Sequence, residues 1–234
     1  MCMTIFKILR KIINLIVFLL VKTLRKKTPL FLLAIYWKLD KSFFFGLKIH
    51  SISHNYAKTY SQLFKPIRSV AKNVLEIGIG STENGQMSHM LDYGYKTGNS
   101  LRFLRDYFYN ANILGLDLFK VNIKDRRIKT GQLDQSNEKD LESFAKLYPL
   151  FFDVIIDDGS HESRDQYLTF KNFFSSLKNG GVYIVEDVNN DSVKPLVKKI
   201  KNLVFFSKKK FKISTIYGSK GKNDNLLIIE KFKF

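Results

Sequence analysis

Residues 152–161 read FDVIIDDGSH, an apolar run closed by two carboxylates, a glycine, a serine and a histidine. Helical stretches separate this run from others like it: residues 100–108, with Ser100 as the expected N-cap, and residues 163–177, which we expect Gly180 and Gly181 to end. Short strands that alternate with helices predict an α/β fold with a mostly parallel sheet. The other runs that share this form are NVLEIGIG at 73–80, ANILGLDL at 111–118, RIKTGQLD at 127–134 and GGVYIVED at 180–187.

The last part of the chain carries three more β-type runs, LVFF at 203–206, KISTIY at 212–217 and NLLIIEKF at 225–232. We expect these runs to supply a closing pair of antiparallel strands. In parallel α/β sheets, ligands bind at the carboxyl ends of the strands. The acids and glycines that close the predicted strands therefore mark one candidate edge for a functional site.

The positive charge of the chain is concentrated at its two ends. The net charge is +18, with 14 basic residues against Asp40 in residues 1–72, and 12 lysines against two acids in residues 192–234. Residues 73–191 are acidic, with 18 acidic and 13 basic residues. A nucleic-acid enzyme commonly carries its basic surface around the cleft, so this distribution instead favours flanks that hold an anionic surface. The single cysteine, Cys2, excludes an internal disulfide and fits a reducing, cytoplasmic setting.

The first predicted strand ends in Glu76, Gly78 and Gly80. Glycines at such a turn let a ligand approach the backbone and leave amide donors free to face it. A dinucleotide fingerprint would continue with a third glycine, but Glu83 stands there, which disfavours a nicotinamide cofactor. Asp117, at the end of the second strand, is a candidate for binding both hydroxyls of a ribose.

Two acid pairs end what should be neighbouring strands, Asp157-Asp158 and Glu186-Asp187, and His161 follows the first pair closely. Clustered carboxylates repel one another unless a cation lies among them. Oxygen ligands without cysteine favour Mg²⁺ or a similar divalent ion. The alternative is that Asp157 and Asp158 cap the next helix and that His161 is a turn residue.

The N-terminal 27 residues contain seven basic and no acidic side chains, and their apolar residues recur at helical spacing from Ile5 to Leu20. The uninterrupted apolar run is far shorter than the ~20 residues needed to span a bilayer, and no cleavage site for a signal peptide follows. We predict an amphipathic helix at the membrane interface, with a helix packed on protein and a true span as alternatives. A second apolar stretch at 30–39 either extends the membrane contact or caps the core.

Taken in order, the motifs LEIGIG, GNSLRFLRDYFYNANILGLDL, FDVIIDDGSH and LKNGGVYIVED resemble S-adenosylmethionine-dependent O-methyltransferases of the macrocin and mycinamicin sugar type. The resemblance covers roughly residues 54–190, including the segment with His54, Asn55, Tyr56 and Tyr60. It implies the Rossmann-like class I methyltransferase fold, a mostly parallel seven-stranded sheet with helices on both faces. Residues 1–47 would form the N-terminal helical segment, and residues 48–234 the methyltransferase domain.

The resemblance also implies cofactors, S-adenosylmethionine and Mg²⁺, and a role for each motif residue. His161 would be the catalytic base, and Asp158, Glu186 and Asp187 would bind the metal. The residues that the resemblance assigns to S-adenosylmethionine are Glu76, Gly78, Gly80, Ser100, Asp117, Asp134, Gln135 and Asp157.

The implied reaction is the transfer of a methyl group to a hydroxyl of a sugar or glycan, as in the synthesis of a polysaccharide, a lipopolysaccharide or a glycosylated metabolite. The acceptor would then be a sugar or glycan, with a lipid-linked glycan as one option. The protein would act in the cytoplasm, at the inner face of the cell membrane. The alternatives are a methyltransferase that acts on RNA or protein, and a non-catalytic membrane-bound partner of a glycan-assembly complex. The acidic middle of the chain disfavours a nucleic-acid partner. The sequence leaves the sugar, the hydroxyl and a homo-oligomer open.

Overall fold

The structure, a computed structural model, describes residues 2–41, 56–81, 94–205, 210–218 and 224–232, with the backbone alone for residues 2–10 and 205. Its strands are β1 (Asn73–Ile77), β2 (Asn112–Asp117), β3 (Ile128–Gln132), β4 (Phe152–Asp157), β5 (Leu177–Val188), β6 (Phe211–Ile216) and β7 (Asn225–Lys231). Its α-helices are α1 (Cys2–Leu24), α2 (Leu30–Tyr36), α3 (Ala57–Phe64), α4 (Asn99–Tyr107), α5 (Glu138–Leu147), α6 (Ser163–Phe173) and α7 (Asn190–Phe205). Short 3₁₀ turns follow α1 and α3.

The strands form one seven-stranded sheet in the order β3-β2-β1-β4-β5-β7-β6. Strands β1 to β5 pair in parallel, whereas β7 is antiparallel to both β5 and β6. The chain order reverses between β1 and β4, which is where ligands bind in open α/β sheets. The predicted fold class, with its antiparallel closing strands, is therefore confirmed.

Each face of the sheet covers its own hydrophobic core, because successive strand residues point to opposite faces. In β4, Val154 and Ile156 pack with α2, α3 and α4, and Ile155 between them packs with α5, α6 and α7. Both cores consist of residues that are nearly inaccessible to solvent. The sheet is thus buried on both faces, as its continuous apolar runs predict.

Three local predictions are wrong. Residues 203–205 of the run at 203–206 continue α7, since Leu196, Ile200 and Val204 recur at helical spacing and are buried together in one core. Helix α6 ends at Phe173, and Gly180 and Gly181 lie inside β5, where the register with β4 shifts. Glycine serves there because a side chain on residue 181 would come within 3.0 Å of the Asp153 carbonyl oxygen. The third correction concerns the N-cap of α4. It is Gly98, the residue immediately before α4, and not Ser100.

The second apolar stretch caps the core. Leu30, Leu33 and Leu39 belong to the core on the α2 side of the sheet, and the Trp37 indole N–H donates to Oδ2 of Asp106 at 2.9 Å. Residues 30–41 are therefore packed against the α/β fold. The predicted domain boundary at 47/48 lies outside the described residues, as do His54 and Asn55.

Within residues 11–24, whose side chains the structure describes, helix α1 is covered on one side only. Val17 packs against Leu32 and Ile35 of α2. Other apolar side chains of α1 remain exposed, at 37–58% of their full accessibility: Ile12, Leu15, Ile16, Phe18, Leu19 and Leu20. Within the described ranges, no helix combines the length and the apolar character needed to cross a membrane.

Candidate active site

A cavity of about 490 Å³ opens at the carboxyl ends of the parallel strands. Seven of the predicted site residues line it, namely Gly78, Gly80, Ser100, Asp117, Asp158, His161 and Asp187. The other lining residues are Leu39, Asp40, Lys41, Tyr95, Gly159 and Ser160. Residues from four strand ends and from the segment after α2 thus meet in one place.

The turn after β1 requires glycine at position 78. Gly78 has a φ of +78°, and a Cβ atom there would lie 2.0 Å from the carbonyl oxygen of Asp158. Its backbone N–H donates to the Leu116 carbonyl at 2.8 Å, which fastens the turn to β2. The backbone therefore forms the cavity floor without any intervening side chain.

Asp117 shapes this turn as well as lining the cavity. Its Oδ2 accepts the N–H of Ile79 and its Oδ1 accepts the N–H of Phe119, each at 3.1 Å. The carboxylate therefore fixes the relative position of the β1 and β2 ends. It lines the cavity while keeping lone pairs available for further donors.

Glu76 precedes the glycine turn in β1, does not line the cavity and is 1% exposed. Its Oε2 has no hydrogen-bond partner within the described part of the chain. Burial raises the pKa of Glu76 to about 8. A buried carboxyl oxygen without a partner normally signals a missing group, so Glu76 is available to a bound ligand.

Three side chains converge where β4 and β5 end. One ligand atom from each of Asp158, His161 and Asp187 lies within 4.8 Å of the other two. His161 and Asp187 both have positive φ angles, +60° and +53°, a conformation that costs energy for non-glycine residues and is often found at functional sites. Nε2 of His161 lies 3.9 Å from Oδ2 of Asp187, and Nδ1 is buried with no partner among the described residues.

Glu186, the third carboxylate predicted to bind metal, points into the protein and is 1% exposed. Its Oε1 accepts the Tyr60 hydroxyl, and its Oε2 lies 2.5 Å from Nζ of Lys41. Lys41 also contacts Oδ2 of Asp158 at 2.8 Å. Burial opposes the charge of Lys41, but the attraction of Asp158 and Glu186 prevails and raises the pKa of the lysine well above its usual range.

A tyrosine occupies the outer side of the same cluster. The Tyr56 hydroxyl donates to Oδ1 of Asp187 at 2.5 Å. Burial, followed by the charge of Asp187, raises the pKa of Tyr56. Tyr56 is therefore a neutral hydrogen-bond donor at neutral pH and fixes one oxygen of Asp187.

Three predicted cofactor residues lie behind the cavity wall. Gln135 donates to Oδ1 of Asp157 at 2.7 Å and accepts the N–H of Ser160 at 2.8 Å, so it holds the loop that carries His161. Asp134 accepts the N–H of Ser136 in a local turn. Burial raises the pKa of Asp157 to about 7. In this arrangement Gln135 and Asp157 support the loop, and neither lines the cavity.

Lys41 is the site residue that sequence reasoning missed. It is separated from Asp158 by 117 positions and from Glu186 by 145 positions. No periodicity or motif distinguishes it from the 13 other basic residues of positions 1–72. The resemblance includes Tyr56 and Tyr60, but the sequence gives no sign that they donate to Asp187 and Glu186 at the end of β5.

Comparison with known proteins matches this region to sugar methyltransferases. The chain is 32% identical over 136 residues to mycinamicin VI 2''-O-methyltransferase of Micromonospora griseorubida, and 35% identical over 136 residues to a tetracenomycin-C rhamnosyl 3'-O-methyltransferase of Streptomyces olivaceus. Each match covers 58% of this chain and 32% of the relative. The match therefore spans about a third of the length of these curated relatives. No protein-family profile matches the chain.

Among solved structures, the chain superimposes on MycE, a methyltransferase of the mycinamycin pathway crystallised with Mg and S-adenosylhomocysteine, with a TM-score of 0.68. The match covers 89% of this chain and 56% of MycE, at 24% sequence identity. At that sequence identity, the structural similarity is evidence for the fold alone. The chain thus has the class I methyltransferase fold and is similar in sequence to the sugar O-methyltransferases of the macrocin and mycinamicin type.

Proposed function

We propose that this protein transfers a methyl group from S-adenosylmethionine to a hydroxyl of a sugar or glycan. The observation that carries the proposal is the meeting of Gly78, Asp117, Asp158, His161 and Asp187 around one cavity. The names of the curated relatives give their substrates as mycinamicin VI and a rhamnosyl tetracenomycin C, each methylated on an oxygen. A glycan of a polysaccharide or lipopolysaccharide is the acceptor that we propose for this chain.

The residues fit S-adenosylmethionine. The turn at Gly78 brings backbone within reach of a ligand, and Asp117 offers a carboxylate to ribose hydroxyls. Ser100, which lines the cavity, and Glu76, whose Oε2 has no partner among the described residues, are the polar groups that we assign to the methionine portion. S-adenosylmethionine supplies an electrophilic methyl group when it is bound, and the residues listed hold and orient it.

The residues also fit a divalent metal. Asp158 and Asp187 present carboxylate oxygens on one side of the cavity, and oxygen ligands suit Mg²⁺. Mg²⁺ bound there supplies Lewis-acid activation, which lowers the pKa of a coordinated hydroxyl. The hydrogen bond from Tyr56 holds one oxygen of Asp187 in place, so that the carboxylate keeps its orientation.

His161 is the proposed general base. Its side chain is 41% exposed and lines the cavity, so an acceptor hydroxyl can reach the imidazole. The imidazole would take the hydroxyl proton as the sugar oxygen bonds to the methyl carbon and the methyl–sulfur bond breaks, which would release S-adenosylhomocysteine. The loop that carries His161 is held by Gln135, which keeps the base in place between turnovers.

Calorimetric titration with S-adenosylhomocysteine tests the cofactor half of the proposal, and release of S-adenosylhomocysteine in the presence of glycosides tests the transfer. His161→Ala should lower kcat by about 10²–10⁴-fold and leave the affinity for S-adenosylhomocysteine nearly unchanged. Lys171→Ala on the exposed side of α6, far from the cavity, is the matched control. Failure of the wild-type protein to bind either cofactor form would overturn the proposal.

We propose, in addition, that α1 attaches the protein to an anionic membrane surface from the cytoplasmic side. Apolar side chains of α1 between Ile12 and Leu20 are exposed, and a second cavity, of about 630 Å³, lies against the later part of α1, at Val21 and Lys22. That cavity is lined by five basic residues and one acid, together with apolar side chains. Each cation close to anionic lipid contributes about 1 kcal/mol, and the apolar face adds burial. The basic residues that line the cavity are Lys22, Arg25, Lys26, Arg105 and Arg127.

A further inference from the structure

The acidic rim of the cavity contains an internal cation. Nζ of Lys41 lies 2.8 Å from Asp158 and 2.5 Å from Glu186, and the lysine side chain is only 5% exposed. A buried ammonium group needs such partners, and buried carboxylates need such a cation. The lysine therefore satisfies two of the three carboxylates that the sequence assigns to a metal.

Lys41 and a metal would share the same oxygens. Asp158 belongs both to the group that can hold a metal and to the ion pair with Lys41. Glu186 lies outside the metal-holding group in this structure, since Lys41 and Tyr60 take its oxygens. A dication and an ammonium within a few ångströms of each other repel strongly in a partly buried site.

The Lys41 side chain is itself part of the cavity wall. Lys41 lies five residues beyond the end of α2, and its carbonyl accepts the N–H of Ala57 at 2.8 Å. The other neighbours on the cavity side, Leu39 and Asp40, line the cavity themselves. A movement of the lysine side chain therefore changes the cavity wall and exposes Glu186 to it.

We infer that Lys41 is a displaceable internal cation that competes with a divalent metal for Asp158 and Glu186. Without metal, the ammonium holds the two strand ends together. When metal binds, Lys41 leaves, and Glu186 becomes available as a third carboxylate ligand. This inference rests on the proposed metal-assisted function, because it concerns the same carboxylates.

Titration with Mn²⁺ tests the competition without any measurement of activity. Lys41→Met removes the ammonium and retains an unbranched apolar side chain, so it should bind Mn²⁺ about tenfold or more tighter than the wild-type protein, by calorimetry or by electron paramagnetic resonance of free Mn²⁺. Lys178→Met is the matched control, because it breaks an ion pair with Asp153 at the opposite end of β4 and should leave Mn²⁺ affinity unchanged. Equal affinity in wild type and Lys41→Met, or no Mn²⁺ binding by either, overturns the inference.

The wild-type protein offers a second test that does not depend on the folding of a variant. A short pulse of an amine-acetylating reagent, followed by peptide mass spectrometry, should find Lys41 protected in EDTA and labelled several-fold faster in saturating Mn²⁺. The exposed Lys146 should label equally in both conditions. Bound Mn²⁺ with unchanged labelling of Lys41 contradicts displacement. Binding of S-adenosylhomocysteine, measured on the same samples, shows separately whether the proposed function holds.

Discussion

The backbone N–H of Ile79 donates to Oδ2 of Asp117 at 3.1 Å, so one carboxylate fixes the glycine turn after β1 and also faces the cavity. Asp117→Ala should therefore weaken binding of S-adenosylhomocysteine by about 1.5–3 kcal/mol, through the loss of charge-assisted hydrogen bonds. Calorimetry measures this directly. Glu142→Ala, an exposed acid on α5, is the control and should bind as the wild type does. An unchanged affinity of Asp117→Ala for S-adenosylhomocysteine would contradict the assignment of Asp117 to the ribose.

Gly78→Ala should destabilise the protein and close the cavity floor. The positive φ costs about 1–3 kcal/mol for a residue with a side chain, and contact with the Asp158 carbonyl adds to it. Gly94→Ala is the matched control, because Gly94 has the same φ of +78° and no described residue comes within 4 Å of an added Cβ. The difference between the two free energies of unfolding, from urea denaturation, isolates the steric contact. Equal losses of unfolding free energy in the two variants would show that the turn can shift to accommodate the added Cβ atom.

Glu76 should make the protein less stable as the pH rises. Burial raises its pKa to about 8 in the folded protein, whereas an unfolded glutamate titrates near about 4.3. Between these values the folded state holds a proton that the unfolded state has lost. The free energy of unfolding therefore falls with rising pH, by at most about 1.4 kcal/mol per pH unit from this group.

Glu76→Gln cannot ionise, so its free energy of unfolding should fall less between pH 5 and pH 8 than that of the wild type. Urea denaturation at the two pH values measures the change. Some slope should remain, because burial also raises the pKa of Asp157, to about 7. Glu142→Gln should follow the wild-type profile, and a Glu76→Gln profile that does so too would contradict the assignment.

Removal of metal should abolish methyl transfer. EDTA should stop the reaction and added Mg²⁺ should restore it, while binding of S-adenosylhomocysteine persists. Asp187→Asn should imitate EDTA, because asparagine tolerates the positive φ of this position but binds cations more weakly than a carboxylate does. Initial rates and calorimetry on the same preparations separate the two effects. Full activity in EDTA would contradict the metal site and would favour the alternative in which Asp157 and Asp158 cap the next helix.

Attachment by α1 should depend on charge and on apolar contact together. The protein should sediment with vesicles of phosphatidylglycerol and phosphatidylcholine, remain in solution with phosphatidylcholine alone, and be partly released by salt. Leu15→Ser combined with Leu19→Ser should weaken sedimentation, since both side chains are more than half exposed. Leu147→Ser, at an exposed leucine that ends α5, is the matched control away from α1. Vesicle binding that resists both salt and carbonate would indicate a deeper insertion than we propose.

The parallel strands could be predicted because each is a short apolar run ended by an acid or a glycine. The glycine turn, Asp117 and the Asp158–His161 group followed from the rule that parallel strands bring their carboxyl ends to one edge. The errors arose where one apolar run suits two structures: residues 203–205 extend a helix, and Leu177 begins a strand.

Contacts between segments that lie far apart in the chain could not be predicted from the sequence. Lys41 reaches Glu186 only after α2 and the sheet have packed, and no local pattern records that pairing. The orientation of Glu186, inward toward Tyr60, is likewise decided by packing. Identity of strand-end residues was thus predictable, whereas the partner of each carboxylate was not.

Helix α1 runs along the sheet from one end of the strands to the other. Near the reaction cavity Asn14 accepts a hydrogen bond from Lys38, and at the amino ends of the strands Lys26 lies over the Tyr109 ring, 5.0 Å from its centre. Twelve helical residues span about 18 Å, the length of a strand of five or six residues. In the membrane attachment that we propose, a bilayer on the exposed side of α1 would therefore extend along the direction of the strands, past the end of the sheet that carries the cavity. A sugar joined closely to its lipid is the acceptor that this attachment would favour.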